Sequence, residues 1–219
     1  MSGPSLRYVL PFVVFIAFLA GHQYLPVSAV WEYPLRVIVM AAVLWFVSRD
    51  VIDLRVHNWA GTVAIGVGVF VVWIAPDLLW PHYRESILFQ NSITGKVSSS
   101  VPAELRSSWI VLLFRTLRAT TIVPIVEELF WRAWMMRWIV DPRFEKVPLG
   151  AYAANAFWIT AVLFASEHGP YWEVGLIAGI AYNWWMIRTR SLGDCILAHA
   201  ITNALLSAYV IVYGQWQYW

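Results

Sequence analysis

Apolar residues occupy the chain in long runs, and polar residues gather in the short stretches between them. A helix needs about 20 predominantly apolar residues to cross a bilayer. Seven segments approach this length, at 8–26, 31–47, 60–80, 109–139, 149–168, 171–189 and 194–213. Because backbone groups in hydrocarbon must be hydrogen-bonded internally, we expect all of them to be helical. The pattern predicts an all-α, polytopic membrane bundle.

The fourth segment is too long for one straight span. Pro124 lies inside it and removes one backbone hydrogen bond, which predicts a kinked long helix. No internal repeat and no linker divides the chain, so we expect residues 1–219 to form a single integral-membrane domain.

Composition supports a membrane location and excludes several other classes of protein. Of the 219 residues, 60% are hydrophobic and 13% charged, whereas a soluble domain has about 45–50% apolar and about 25% charged residues. The 15 tryptophans suit a bilayer interface. Membrane lipids are therefore expected partners and nucleic acid is not. One cysteine, Cys195, excludes an intramolecular disulfide framework.

The distribution of charge predicts an orientation. If the odd-numbered spans run outward, eight of the lysines and arginines in the connections lie inside and three outside. The positive-inside rule then places the N-terminus in the cytoplasm. Phe18 stands where a signal peptide would need a small residue, so we interpret the first segment as an uncleaved span of an integral membrane protein.

Ionisable residues inside the spans are costly and indicate a functional site. In segment 4, Glu128 and Arg132 are four residues apart and lie on one helix face, where they can form an ion pair. Glu127 points about 140° away from Arg132 and is left without a partner on its own helix, which suits a general base. The alternative is that Glu128 and Arg132 form a purely structural ion pair and that Glu127 extends its carboxylate to the polar surface at the helix end.

Two further polar clusters follow. His168 ends segment 5, where a histidine more often caps a helix or packs than acts in catalysis. His199 and Asn203 lie four residues apart in segment 7, and two donors at this spacing can hold a developing oxyanion. An ordinary interhelical polar contact is the alternative.

Together the clusters offer a base, a second imidazole and two donors on three helices, which is what water-driven acyl hydrolysis requires. The chain has no Gly-x-Ser-x-Gly elbow, no His-Glu-x-x-His pair and no Gly-x-x-x-x-Gly-Lys loop. A serine hydrolase, a common zinc protease and a P-loop nucleotide enzyme are therefore disfavoured.

These motifs resemble the CPBP family of intramembrane proteases, which comprises CAAX proteases and bacteriocin-processing enzymes. The family shows Glu-Glu-x-x-x-Arg, Phe-x-x-x-His and His-x-x-x-Asn/Asp in this order. Here they read Glu127-Glu128…Arg132, Phe164…His168 and His199…Asn203. The resemblance covers about 123–206, within a catalytic part of about 109–213. The short chain and its Trp-rich Glu-Glu helix are similar to the CAAX-protease-related members that accompany bacterial exosortase systems.

The resemblance implies an endopeptidase that cleaves a membrane-anchored peptide, CAAX-like or other. Glu127 and His168 would activate the water, and His199 and Asn203 would stabilise the oxyanion. Glu128 and Arg132 would support the site. No cofactor is expected. If zinc is used, its ligands would be Glu127, His168 and His199, because a zinc site needs about three protein ligands.

Two other functions remain open. The chain could be a non-catalytic immunity or scaffolding protein that keeps the protease fold. A proton-coupled transporter is also conceivable, since buried Glu and His relay protons, but the paired broken helices of transporters are missing from the sequence.

A simple seven-span layout has one internal conflict. It places His168 near the outer face and His199 near the inner face, too far apart to share a water. Either the Gly169-Pro170 turn, which carries no charge, is buried in the protein, or the count of seven spans is wrong; we favour the buried turn.

We interpret several other polar or small residues in the spans as structural rather than catalytic. Arg115 and Arg118 could meet a substrate carboxylate, but helical phase puts Arg118 opposite Glu127, so a supporting or interfacial role is favoured. The expected small-residue packing positions are Gly61, Gly66 and Gly68, and the expected interhelical hydrogen-bonding residues are Asn155 and Asn183.

Overall fold

The computed structural model describes residues 3–21, 24 and 27–219. This part of the chain is 77% helical and contains no strand. Its main helices are α1 (Gly3–Gly21), α2 (Ala29–Val51), α3 (Trp59–Leu79), α4 (Trp109–Val140), α5 (Ala154–Ser166), α6 (Trp172–Thr189) and α7 (Leu192–Tyr213). The predicted polytopic helical bundle is confirmed.

Five of these helices are long and apolar enough to cross a membrane, namely α1, α2, α3, α4 and α7. α5 is apolar but has 13 residues, so it is about 20 Å long. α6 is not among the five helices that are long and apolar enough to cross a membrane. Four residues at the end of the first predicted span (22, 23, 25 and 26) lie outside the described residues.

α4 changes its geometry twice along its length. A π-helical turn at Arg118–Ile122 directly precedes Pro124, and a second one covers Leu129–Met135. Proline has no N–H to donate to the preceding turn, and the wider turn places Val123 N–H on the carbonyl of Arg118 instead. The interruption predicted from Pro124 is therefore present, whereas the second has no proline to announce it. Such turns occur frequently at functional sites.

The start of α7 is fixed to the start of α3 by one buried carboxylate. Asp194 accepts hydrogen bonds from the backbone N–H groups of His57 and Asn58, both at 2.9 Å, and from the hydroxyl of Thr62 at 2.7 Å. A carboxylate at a helix N-terminus satisfies donors that the helix leaves free. Asp194 thus fixes the position of α7 along α3, and residues of both helices line the candidate active site.

The Gly169-Pro170 turn between α5 and α6 is covered by the connection between α3 and α4. Arg84 in that connection donates to the carbonyl of Pro170 at 2.8 Å and lies 2.7 Å from the carboxylate of Glu173. Its guanidinium also stacks 4.0 Å from the ring centroid of Tyr171. Gly169 and Pro170 are half-buried, so a charge from another part of the chain holds the turn against the protein, and its depth in the membrane stays a prediction.

Gly66 allows α3 and α7 to approach closely. A Cβ atom at this position would lie 2.6 Å from the carbonyl oxygen of Ala198, which is backbone and cannot move independently. Gly61 is similarly close to Trp185, whereas a Cβ at Gly68 would meet nothing within 4 Å. The packing role expected of the three glycines is therefore confirmed for Gly61 and Gly66 and wrong for Gly68.

We predict that Gly66→Ala destabilises the protein by about 1–3 kcal/mol, because the added methyl overpacks the α3–α7 contact. Gly68→Ala is the matched control and should be neutral or slightly stabilising, since alanine is the better helix former. Thermal unfolding of both variants in detergent micelles measures the difference. Equal midpoints for the two variants would contradict this account of the interface.

Candidate active site

A cavity of about 100 Å³ opens between α3, α4, α5, α6 and α7. Its wall includes Glu127, His168, His199 and Asn203, the four residues singled out for catalysis from the sequence. Apolar and aromatic side chains, among them Trp73, Phe164 and Tyr182, complete it. The cavity has room for a few water molecules, since one water occupies about 30 Å³. The structure thus brings the three polar clusters to one place.

Glu128 is the electrostatic centre beside this cavity. It is fully buried, and its Oε1 atom accepts hydrogen bonds from Arg132 Nη1 at 3.0 Å and from His199 Nδ1 at 2.9 Å. The ion pair expected from the four-residue spacing is therefore present, and it extends to a second helix. One carboxylate oxygen joins α4 to α7 and fixes the orientation of the His199 ring.

Arg132 is held on its other side by Asn183 of α6. The side-chain oxygen of Asn183 accepts from Arg132 Nε at 3.0 Å, and its amide nitrogen donates to the carbonyl of Phe157 at 2.9 Å. The guanidinium also lies 4.3 Å from the ring centroid of Phe164, a cation–π contact. A continuous chain of contacts thus runs from α5 through Asn183, Arg132 and Glu128 to His199.

Glu127 differs from Glu128 in having no such partner. It is 8% exposed, and its Oε2 atom is buried without a hydrogen-bond partner among the described residues. The second acid nearby, Glu167, is exposed and accepts from the indole nitrogen of Trp131 at 3.1 Å. No protein donor neutralises this carboxylate among the described residues, and Glu127 lines the cavity, so the group is available to a water molecule or a proton there.

His168 is held in position by contacts on several sides. Its Nδ1 donates to the carbonyl of Phe164 at 2.8 Å, which leaves Nε2 as the nitrogen with a free lone pair in the neutral ring. The ring centroids of Trp73 and Phe164 lie 5.2 and 4.8 Å away. A Cβ atom at Gly175 would lie 3.0 Å from the His168 ring, so glycine gives the ring its space.

The third cluster is built into the packing of α7. Tyr182 stacks on the His199 ring, with centroids 5.1 Å apart, and donates its hydroxyl to Thr202 at 2.7 Å. Asn203 Nδ2 donates to the carbonyl of Ala119 at 2.8 Å. An amide nitrogen carries two hydrogens, so one donor of Asn203 remains for a ligand.

The three side chains proposed as zinc ligands line one cavity but do not form a metal-binding group. Within 3–21, 24 and 27–219, no set of three or more His, Cys, Asp and Glu side chains is close enough to hold a metal ion. His199 Nδ1 donates to Glu128 and His168 Nδ1 donates to a carbonyl, which leaves the Nε2 atoms of both rings free. The described residues therefore show no assembled zinc site, and the ligand set of Glu127, His168 and His199 stays a prediction.

Comparison with protein families adds an independent observation to this geometry. Residues 108–205 match the family model of Rce1-like type II CAAX prenyl endopeptidases. The resemblance to the CPBP proteases is thereby confirmed. The matched segment contains all of α4, α5 and α6 and the part of α7 up to residue 205. It includes every polar residue of the cavity named above. No curated protein and no solved structure matches the chain. The match suggests CAAX-type intramembrane endopeptidase activity.

Two residues of the Rce1-like segment have roles that sequence reasoning missed. Asn183 was expected to form an interhelical hydrogen bond, and it does, but its partner is the guanidinium that holds Glu128. Asn155, given the same expectation, is exposed, and its side chain makes no hydrogen bond to the described residues. Gly175 gave no signal at all, because its contact with His168 arises only when α6 folds back on α5.

We predict that Asn183→Ala destabilises the protein by about 1–3 kcal/mol, because it leaves a buried guanidinium nitrogen and a buried carbonyl without partners. Asn155→Ala is the matched control on an exposed face and should change the unfolding midpoint little. Thermal unfolding in detergent micelles is the measurement. If both variants unfold like the wild type, Asn183 does not support the Arg132–Glu128 pair.

Proposed function

We propose that this protein is an intramembrane endopeptidase that hydrolyses a peptide bond of a membrane-anchored substrate with a water molecule activated by Glu127. The observation that carries the proposal is the convergence of Glu127, His168, His199 and Asn203 on one small buried cavity. The family match over 108–205 supports the reaction class independently of this geometry.

Glu127 has the properties of the general base. Its carboxylate, which lines the cavity, accepts the proton of a water molecule there while the water oxygen attacks the carbonyl carbon of the scissile bond. His168 Nε2 accepts the second water hydrogen and orients the nucleophile. The proton taken up by Glu127 then passes to the leaving amine when the carbon–nitrogen bond breaks, which returns the carboxylate to its starting state.

His199 and Asn203 act on the oxyanion of the tetrahedral intermediate. Glu128 accepts from His199 Nδ1, so it stabilises positive charge on the ring and lets Nε2–H donate to the oxyanion. The free hydrogen of the Asn203 amide supplies a second donor. Donors that are already oriented in a water-poor cavity stabilise developing charge without reorganisation.

The proposal includes a location and a substrate class. The helices and the family match indicate an integral membrane protein, and we propose the bacterial inner membrane with a cytoplasmic N-terminus. The substrate is a membrane-anchored peptide or protein, CAAX-like or other. The single domain 1–219 and its catalytic part at about 109–213 remain part of the prediction.

We predict that Glu127→Gln and His168→Ala each lower the rate of peptide cleavage by about 10²–10⁴-fold, because each removes a group that activates the water. The matched controls are Glu104→Gln and His57→Ala, whose side chains are exposed outside the helices. The assay incubates detergent-purified protein with a panel of lipid-anchored peptides and detects products by mass spectrometry. Full activity in either purified cavity variant would refute the mechanism.

We also predict that cleavage persists after incubation with zinc chelators, because the side chains that line the cavity do not form a metal-binding group. The measurement repeats the peptide assay with and without chelator and adds back Zn²⁺. Loss of activity that is restored by Zn²⁺ would contradict the metal-free reaction.

A further inference from the structure

The connection between α3 and α4 exposes aliphatic side chains to its surroundings. Residues 86–95 lie in the middle of this connection, outside the predicted spans, and carry no charge. Ile93 is 94% exposed and Ile87 is 84% exposed, and Leu88 is also exposed. Clustered aliphatic groups of this kind mark a contact with a partner or a membrane, because water solvates them poorly. We call residues 86–95 the apolar loop.

Asn91 folds the apolar loop back on itself. Its Nδ2 donates to the carbonyl of Ile87 at 2.9 Å, and its Oδ1 accepts from the backbone N–H groups of Ile93 at 2.8 Å and Thr94 at 3.1 Å. The hydroxyl of Thr94 donates to the carbonyl of Phe89 at 2.8 Å. One amide side chain thus brings Ile87 and Ile93 together and satisfies backbone groups that an exposed loop normally leaves to water.

The inner side of the apolar loop is fixed to the start of α6 and to the turn before it. Phe89 is buried and packs on Trp172, with ring centroids 6.2 Å apart. The indole nitrogen of Trp172 also donates to the carbonyl of Leu88 at 3.2 Å. A Cβ atom at Gly169 would lie 2.9 Å from the carbonyl oxygen of Thr94, so the loop and the turn are in close contact. The exposed aliphatic side chains lie outside these contacts.

The apolar loop continues the surface at the end of a helix that is long and apolar enough to cross a membrane. α3 ends at Leu79, and both Leu79 and Trp80 are exposed. The rings of Trp80, Tyr83 and Phe89 follow one another, with centroids 6.2 and 4.6 Å apart. Tryptophan is enriched where the hydrocarbon of a bilayer meets the headgroups. The loop therefore adjoins the level at which α3 leaves the lipid.

Polarity changes along this part of the chain as it does across a membrane interface. The exposed charged residues Glu85 and Lys96 stand on either side of the uncharged apolar loop. A segment that enters lipid must hydrogen-bond its backbone internally, since hydrocarbon offers no partners. The side chains of Asn91 and Thr94 make such bonds here. A protein partner could supply its own donors and acceptors, so these internal bonds favour a bilayer.

We propose that the apolar loop binds the bilayer by inserting Ile87, Leu88 and Ile93 at the boundary between headgroups and hydrocarbon. The partner is the lipid itself, bound through apolar contact. Because Thr94 contacts Gly169, the residue after His168, the inserted loop holds the end of α5 close to this boundary. The inference concerns membrane contact and does not depend on the peptidase reaction.

The test measures the depth of a spin label in phosphatidylcholine vesicles that contain the full chain alone. Cysteine replaces one residue at a time, in the matched pairs Ile87→Cys with Glu85→Cys and Ile93→Cys with Lys96→Cys. Cys195 is buried, and wild-type protein treated with the label measures its background. We expect labels at 87 and 93 to collide more often with oxygen, and less often with a water-soluble nickel chelate, than labels at 85 and 96.

A second set of variants connects the depth of the label to the aliphatic side chains. In the Ile93→Cys background, Ile87→Ser with Leu88→Ser should move the label toward water, because the apolar surface is lost while the backbone bonds of Asn91 are kept. Ser92→Ala, at an exposed position in the same loop, is the matched control and should leave the depth unchanged. An unchanged depth in the double serine variant would refute insertion through these side chains.

Other outcomes also overturn the proposal. Equal accessibility to the nickel chelate within each matched pair refutes insertion into the bilayer. Few collisions with either reagent at 87 and 93 mean that protein covers the loop, and spectral broadening that disappears on dilution with unlabelled protein identifies a second copy of the chain. A labelled variant at 87 or 93 that unfolds in detergent well below the wild type shows that the side chain packs inside the protein.

Discussion

The site depends on the pairing of Glu128 with two nitrogen donors in the buried interior of the bundle. Removing one partner from a buried ion pair typically costs about 3–5 kcal/mol, because the other charge remains buried. Here one oxygen serves both Arg132 and His199, so α4 and α7 cannot separate without exposing unpaired groups. Asn183 extends the network to α6 and, through the carbonyl of Phe157, to α5. The network that supports the proposed chemistry is therefore also the one that holds these four helices together.

α4 combines two roles that a regular helix would separate. Glu127 and Glu128 are consecutive, yet one lines the cavity and the other lies in the ion-pair network. The wider turns before and after them change the direction of the neighbouring side chains, which brings Arg132 against Phe164 and places Arg118 near Asn203. Glu127 and Glu128 thus have different surroundings, which allows two acids of the same type to have different chemical roles.

Local spacing predicted the contacts that one helix can make by itself. The Glu128–Arg132 pair follows from four-residue spacing, and the close packing at Gly66 follows from the small residue. Contacts between helices could not be predicted in the same way. Asn183 and Asn155 are the same residue type in similar apolar segments, and only the folded arrangement makes one a partner of Arg132 and leaves the other exposed. The second π-helical turn, without a proline, left no trace in the sequence.

The short α5 has a consequence for the lipid around it. A helix of 13 residues reaches about 20 Å, while the hydrocarbon of a bilayer is about 30 Å thick. Lipids beside such a helix accommodate the mismatch by local thinning, at a modest free-energy cost per ångström. His168 lies just beyond the end of this helix, so a bilayer that thins to match α5 would bring its polar headgroups closer to the cavity from that side. An anchored chain could then leave the lipid phase at the place where the membrane is shallowest.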